Sequence, residues 1–206
     1  MTPTAPIARH ANISFVTPRL AVGGDLSPAP VKGGRQLEEL VDLGVTHVVD
    51  VRLEWDDRRL FALMAPHVDY LHHGLDDAGQ EVEPEWFEHA VRWVELALTD
   101  PTAVVLTHCH MGINRGPSLG YAVLLAEGWD CVDAIAAIRA ARPQANVWYA
   151  ADALRWHHLR TGIPAAQATR DQARLETWRQ ENPLDVVRLI RQIRADEALL
   201  DEAETA

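Results

Sequence analysis

The stretch TAVVLTHCHMGINRGPSLGYAVLLAEG, residues 102–128, decides the fold. Its first part, TAVVLTHC (102–109), is the strongest strand signal in the chain, a largely apolar, β-branched run of the kind that is buried in a sheet. It leads directly into HMGINRG and then into an apolar helix over 117–127. Between strand and helix stand Cys109 and Arg115, separated by His110, Met111, Gly112, Ile113 and Asn114. In a loop so placed, backbone N–H groups can turn inward and form an anion cradle at a helix N-terminus. Gly112 permits the tight curvature or positive φ that such a loop needs. The same positive field favours a thiolate at Cys109. Arg115 closes the ring with a planar fork able to bind two phosphate oxygens. One continuous loop thus offers a nucleophile and the groups that hold an oxyanion. A buried structural cysteine near a surface arginine would share the Cys-x5-Arg spacing. His108 before the cysteine, glycine at the third place after it and the strand–loop–helix setting favour the phosphate site.

Working outward, residues 1–12 are Pro- and Ala-rich and unpatterned, and are expected to be disordered. ISFVTPRLAV (13–22) reads as one or two short strands, and GGDLSPAPVKGG (23–34) as a loop by its glycines and prolines. A short helix over 35–43 ends at Gly44. VTHVVDVR (45–52) reads as a buried strand and HVDYLHHG (67–74) as a weaker one. PEWFEHAVRWVELAL (84–98) places Trp86, Ala90, Trp93, Val94 and Ala97 on one helical face. Helices follow over 131–142 and 147–159, then a break at GIPAAQ and a charged helical tail over 170–204. Strands alternating with helices predict an α/β fold, with a mainly parallel central sheet flanked by helices.

At 206 residues and 48% hydrophobic composition, the chain fits one domain with an extension and a real core. Its longest apolar run, LGYAVLLA (119–126), is too short to cross a bilayer. MTPTAPIARH carries no signal-peptide core, so a soluble cytoplasmic protein is expected, with no membrane partner. A net charge of −11 argues against nucleic acid as a general partner. Two cysteines, Cys109 and Cys131, make no disulfide framework and leave a thiol free for chemistry. Cys131, at a helix start, reads as a small core residue.

HCHMGINRGPS (108–118) resembles the HCxxGxxR signature of protein tyrosine phosphatases, and most closely that of the small dual-specificity branch. PRLAVGG, GVTHVVDVR and the pair VDAIAAIRAARPQAN and WYAADALRW resemble elements of the same branch, so the resemblance covers roughly residues 13–160. Residues 161–206 lie outside it as a helical C-terminal extension. The resemblance implies catalysis by Cys109 and Arg115, a phosphocysteine intermediate, and an aspartate general acid on an upstream loop to protonate the leaving oxygen. Asp76 and Asp77 are the candidates. The distance to the helix start Trp86-Phe87-Glu88, matched to the family, selects Asp77, with Asp76 as the alternative. Residues 110–115 are then the substrate-binding loop, while His108, through hydrogen bonding, and Ser118 shape it. No metal or organic cofactor is needed. The substrate implied is a phosphorylated protein, with a small phosphomonoester left open. The lack of lysine in the loop disfavours a phosphoinositide headgroup.

One departure stands out. The family usually places Ser or Thr directly after the arginine, where the hydroxyl helps the thiolate depart in the second step, and this chain has Gly116. Slow breakdown of the intermediate is expected. The competing reading is a pseudophosphatase that binds phosphorylated partners with little turnover.

Other residues invite weaker readings. Ten histidines, His72, His73, His108 and His110 among them, could suggest a metal with Cys109, but no HExxH or CxxC spacing supports one. Asp50, Arg52 and Glu54 end a core strand on the cysteine's side of the sheet and read as a structural ion pair or as pocket lining. In the tail, Leu184, Val187, Leu189, Ile190 and Ile193 form an apolar stripe, expected to dock back on the domain.

Overall fold

The computed structural model describes residues 6–205, with side chains described over 6–195. The chain runs through β1 (Ile13–Thr17), β2 (Leu20–Gly23), α1 (Pro30–Asp42), β3 (His47–Arg52) and α2 (Arg58–Met64). It continues through β4 (Asp69–Leu75), α3 (Pro84–Ala97), β5 (Val105–His108), α4 (Arg115–Ala126) and α5 (Cys131–Ala141). It ends with α6 (Ala150–Thr161), α7 (Ala165–Glu181) and α8 (Val186–Thr205). The sheet order is β1-β2-β5-β3-β4. Only the β1–β2 pair is antiparallel; β2–β5, β5–β3 and β3–β4 are parallel. The strand that carries the cysteine loop is therefore central, and its carboxyl end opens beside the ends of β2 and β3.

Alternation along the strands builds two cores. Leu20, Val22, Val49, Val51 and Val105 face a core shared with α3, α4, α5 and α6. Ala21, Val48 and Leu106 face a second core with α1 and α2. Helix α4 is buried on every side from Arg115 to Leu125, which is why its sequence shows no polar face.

Four details differ from the sequence reading. Helix α1 starts at Pro30 inside the expected loop, because Pro suits the first helical turn and Gly33 lets the helix approach the Ser27 carbonyl, where a Cβ would lie 2.3 Å from its oxygen. Helix α2 was not anticipated; Phe61 is its single buried residue, so it shows little periodicity. The tail is two helices, α7 and α8, broken over 182–185 where Pro183 cannot continue a helix. Residues 1–5 lie outside the described residues, but 9–11 are not loose: the amides of Arg9, His10 and Ala11 donate to the Glu39 carboxylate at 2.6, 2.7 and 2.6 Å.

Candidate active site

Four successive carbonyls of the Cys109 loop, from His110 to Ile113, are pulled outward by donors from the body of the protein. The His110 carbonyl accepts from the Asp25 amide at 2.9 Å. The carbonyls of Met111 and Gly112 accept from the Arg142 guanidinium at 3.1 and 2.6 Å. The Ile113 carbonyl accepts from the Asn146 amide at 2.7 Å. Because the peptide group is planar and trans, an outward carbonyl turns the next residue's N–H inward. The N–H groups of Met111, Gly112, Ile113 and Asn114 thus face the hollow of the loop, above Cys109. Gly112 makes the curve possible: its φ is +65°, and a Cβ there would lie 2.4 Å from both Arg142 Nη2 and the Gly23 carbonyl carbon.

Cys109 and Arg115 are both buried, 2% and 3% exposed. Arg115 is set by Glu54, which accepts from Nη1 at 2.7 Å and Nη2 at 2.6 Å, and by the Leu75 carbonyl at 2.9 Å. Burial works against its charge, but Glu54, the Cys109 sulfur and Asp77 more than offset this and hold its pKa above the usual value. In return, the hydrogen bonds from Arg115 hold the Glu54 carboxyl down at about 2. The third nitrogen, Nε, is buried with no hydrogen-bond partner among the described residues. It lies 3.3 Å from Asp77 Oδ2, without hydrogen-bond geometry.

Of the two candidate acids, the structure brings Asp77 to the loop. Its Oδ1 accepts from Asn114 Nδ2 at 2.6 Å, whereas Asp76 takes part through its backbone carbonyl, bonded to Gln80 and Tyr149. The Tyr149 hydroxyl also accepts from the Gly79 amide at 3.2 Å, pinning the segment that carries Asp77. Asn114 is a junction: its Oδ1 accepts from the Trp148 amide at 2.7 Å and from Ser118 Oγ at 3.3 Å. Ser118 Oγ in turn accepts from the Tyr149 amide. His110 is half-exposed, paired with Asp25 at 2.7 Å and edge-on to Trp55.

The His108 ring lies against the backbone of Cys109. Both ring nitrogens are buried without a hydrogen-bond partner among the described residues, and Asp50 Oδ2 is 3.8 Å from Nε2. Burial depresses its pKa, so the ring is held neutral. Asp50 pairs with Arg52 at 2.6 Å, the ion pair expected from the sequence, and Arg52 also reaches Asp57 at 2.6 Å. Burial pushes the Asp50 carboxyl up, but the hydrogen bonds and charge of Arg52, with the Tyr70 hydroxyl, more than offset that and hold it at about 2. Asp50, Asp57 and His108 place ligand-type atoms within 4.8 Å of one another, but the Arg52 guanidinium already bridges the two carboxylates. His72 and His73 bond to the carbonyls of Arg52 and Trp86 instead of meeting Cys109. Cys131 is free and packs in the core, as does the free Cys109.

Gly116 is tightly enclosed. A Cβ there would lie 2.9 Å from the Cα and the carbonyl carbon of His108 and 3.0 Å from the Cys109 nitrogen. The first turn of α4 is therefore seated directly on the end of β5.

The cavity above the loop has a volume of about 280 Å3. Cys109 and Arg115 line its base, and Asp77, Trp148, Val186 and Ile190 its sides. Arg142 and Val186 were not singled out in the sequence. Nothing there separates a buried arginine from a surface one, and Val186 acquires its place only through the path of the tail.

Known proteins provide an independent measure of this arrangement. No family model matches the chain. Mouse dual specificity protein phosphatase 13B is 33% identical over 139 residues, covering 66% of this chain and 67% of that protein. The human protein of the same name is 30% identical over 112 residues, and the match spans 56% of its length. Among solved structures, human DUSP28 superposes with a TM-score of 0.59 at 21% identity, covering 77% of this chain and 99% of that one. A mouse putative dual specificity phosphatase superposes equally well, at 23% identity over 79% and 96% of the two chains. Among the described residues, no helix is long and apolar enough to cross a membrane. With this fold and these relatives, the chain belongs to the dual-specificity protein phosphatase family and is a cysteine-dependent phosphatase.

Proposed function

We propose that the chain dephosphorylates phosphoproteins through a phosphocysteine on Cys109. The observation that carries this reading is the cradle itself: four loop carbonyls tied outward around a buried thiol, with the buried Nε of Arg115 making no hydrogen bond among the described residues although Asp77 Oδ2 lies 3.3 Å away. A buried donor without a partner is costly unless a ligand supplies the acceptor. A phosphoryl group would fill this cradle, with loop N–H groups and Arg115 on its equatorial oxygens.

In the first step the Cys109 sulfur attacks phosphorus in line, and the bond from phosphorus to the ester oxygen breaks. Asp77, held over the loop by Asn114, gives its proton to that oxygen. In the second step the Asp77 carboxylate takes a proton from water, the water oxygen attacks phosphorus, and the sulfur–phosphorus bond breaks to release phosphate. Glu54 positions Arg115, and Arg142 positions the loop. The residues used need no metal. Phosphotyrosine and phosphoserine or phosphothreonine proteins are the substrate class, following the activity in the relatives' names, and a cytoplasmic setting suits the two free thiols.

The test is steady-state hydrolysis of an aryl phosphate without added metal, with Cys109→Ser and Asp77→Asn alongside. Cys109→Ser should abolish turnover, and Asp77→Asn should lower kcat by about 10²–10⁴. If the wild type binds vanadate but does not turn over, the chain is a phospho-binding module instead.

A further inference from the structure

Helix α8 reaches the cavity through contacts that begin on α5. Arg174 of α7 bonds both carboxylate oxygens of Asp130, the α5 N-cap, at 2.7 and 2.8 Å. Leu175 is buried in the core, and the Arg139 guanidinium stacks on Trp178. Arg179 donates to the carbonyls of Val147 and Trp148 at 2.9 and 2.8 Å, beside the Asn146 amide that holds the catalytic loop. The end of α7 is thus fixed at the rim of the cavity. Pro183 breaks the helix, and α8 restarts across the opening. Positions 186, 189, 190 and 193 share one helical face and are half-buried, while 187, 188, 191 and 192 are exposed. Val186 and Ile190 line the same cavity as Cys109 and Arg115.

We infer that α8 is the outer wall of the substrate pocket, and that Val186 and Ile190 select substrates with an aryl leaving group, as phosphotyrosine has. The inference rests on the phosphatase reading. The cradle recognises only the phosphoryl group, so whatever distinguishes one ester from another must lie farther out. There Met111, Ile113, Trp148, Val186 and Ile190 form an apolar side, facing the polar side of Asp77, His110 and Asn146. Among the described residues Arg115, already at the base, is the one arginine in the lining and no lysine lines the cavity, so no second fixed positive charge rewards a second phosphate. A volume of about 280 Å3 suits one ring, at the small end of ligand pockets. A phenyl ring extending from the phosphate can reach α8, whereas a short alkyl ester presents little surface to it. Discrimination of this kind arises from apolar contacts made by one leaving group and not the other.

The test uses the full chain with Val186→Ala/Ile190→Ala, and Ile190→Asp as a second variant. Both positions lie outside the buried core, and thermal melting checks folding. kcat/KM is measured for phenyl phosphate and for glycerol phosphate, with vanadate inhibition reading the cradle alone. The double variant should lose roughly tenfold in kcat/KM for phenyl phosphate, mainly through KM, while glycerol phosphate changes by about twofold or less. Vanadate inhibition should stay in place. Equal losses for both esters, or gains for both, would overturn the inference, the latter by making α8 an obstruction. If the wild type hydrolyses neither ester, the phosphatase reading fails on its own, and binding of phenylphosphonate and methylphosphonate tests the wall. Tighter phenylphosphonate binding that the double variant loses sustains it; equal binding overturns it.

Discussion

Replacing Gly116 with serine should damage this enzyme, although serine or threonine is what the family usually carries there. A Cβ at residue 116 would lie 2.9 Å from two backbone atoms of His108 and 3.0 Å from the Cys109 nitrogen. Carbon atoms settle at about 3.5 Å or more, so helix and strand end must part by about half an ångström. Neither side can yield cheaply, since one is the first turn of a fully buried helix and the other the central strand. Overpacking of this kind costs about 1–3 kcal/mol. For a chain of this size that lowers Tm by about 2–12 °C. The displacement also falls on Cys109. A 1 Å misplacement costs about a hundredfold in rate, so half of that should cost about tenfold. The assay is thermal melting with kcat/KM for an aryl phosphate on Gly116→Ser and Gly116→Ala, which share the Cβ. A serine variant that melts like the wild type and turns over faster would refute the reasoning and show the glycine to be a simple loss of the hydroxyl.

Three other outcomes are expected. With no hydroxyl at residue 116, breakdown of the intermediate should be slow, so rapid mixing should show an initial burst of product; linear release from the first turnover would count against it. Arg142→Met removes the donors to the Met111 and Gly112 carbonyls, so kcat/KM should fall by about a hundredfold, and stability by about 1–3 kcal/mol for a buried carbonyl left without a partner. A loss of less than twofold would mean the loop holds its shape unaided. Glu54→Gln removes the ion pair on Arg115, and because the Glu54 side chain is 37% exposed, the stability loss should be no more than about 1 kcal/mol. Its carboxyl is depressed from 4.5 to about 2, so the contribution is present above pH 4.5 and lost as pH falls through about 2. The difference in Tm between wild type and variant should therefore shrink over that window, and a difference that grew toward pH 2 would contradict the pairing.

The fold was readable where local pattern and burial agree. The apolar run before Cys109, the apolar helix after Arg115 and the amphipathic segment from Pro84 all form as their periodicity requires. The candidate loop was readable because cysteine, glycine and arginine are contiguous. What stayed hidden depends on distant packing. Arg142 reaches the loop from the end of α5, and Asn12 helps hold it from the N-terminal segment. Glu54 was placed near the site from its strand, but its partner, 61 residues away, was not named. The His108 ring is enclosed against the Cys109 backbone, with neither nitrogen in full hydrogen-bond geometry among the described residues, a placement set by packing around β5. The apolar stripe of the tail was visible, yet only the break at Pro183 and the anchoring of α7 carry Val186 and Ile190 to the cavity.

The most direct test of the central claim is acid quenching of the enzyme during turnover of an aryl phosphate, followed by mass spectrometry of the peptide that contains Cys109. A phosphoryl adduct on Cys109 should form within the burst, chase to free phosphate and be absent in Cys109→Ser. Turnover that proceeds without the adduct, and persists when Cys109 is replaced, would contradict it.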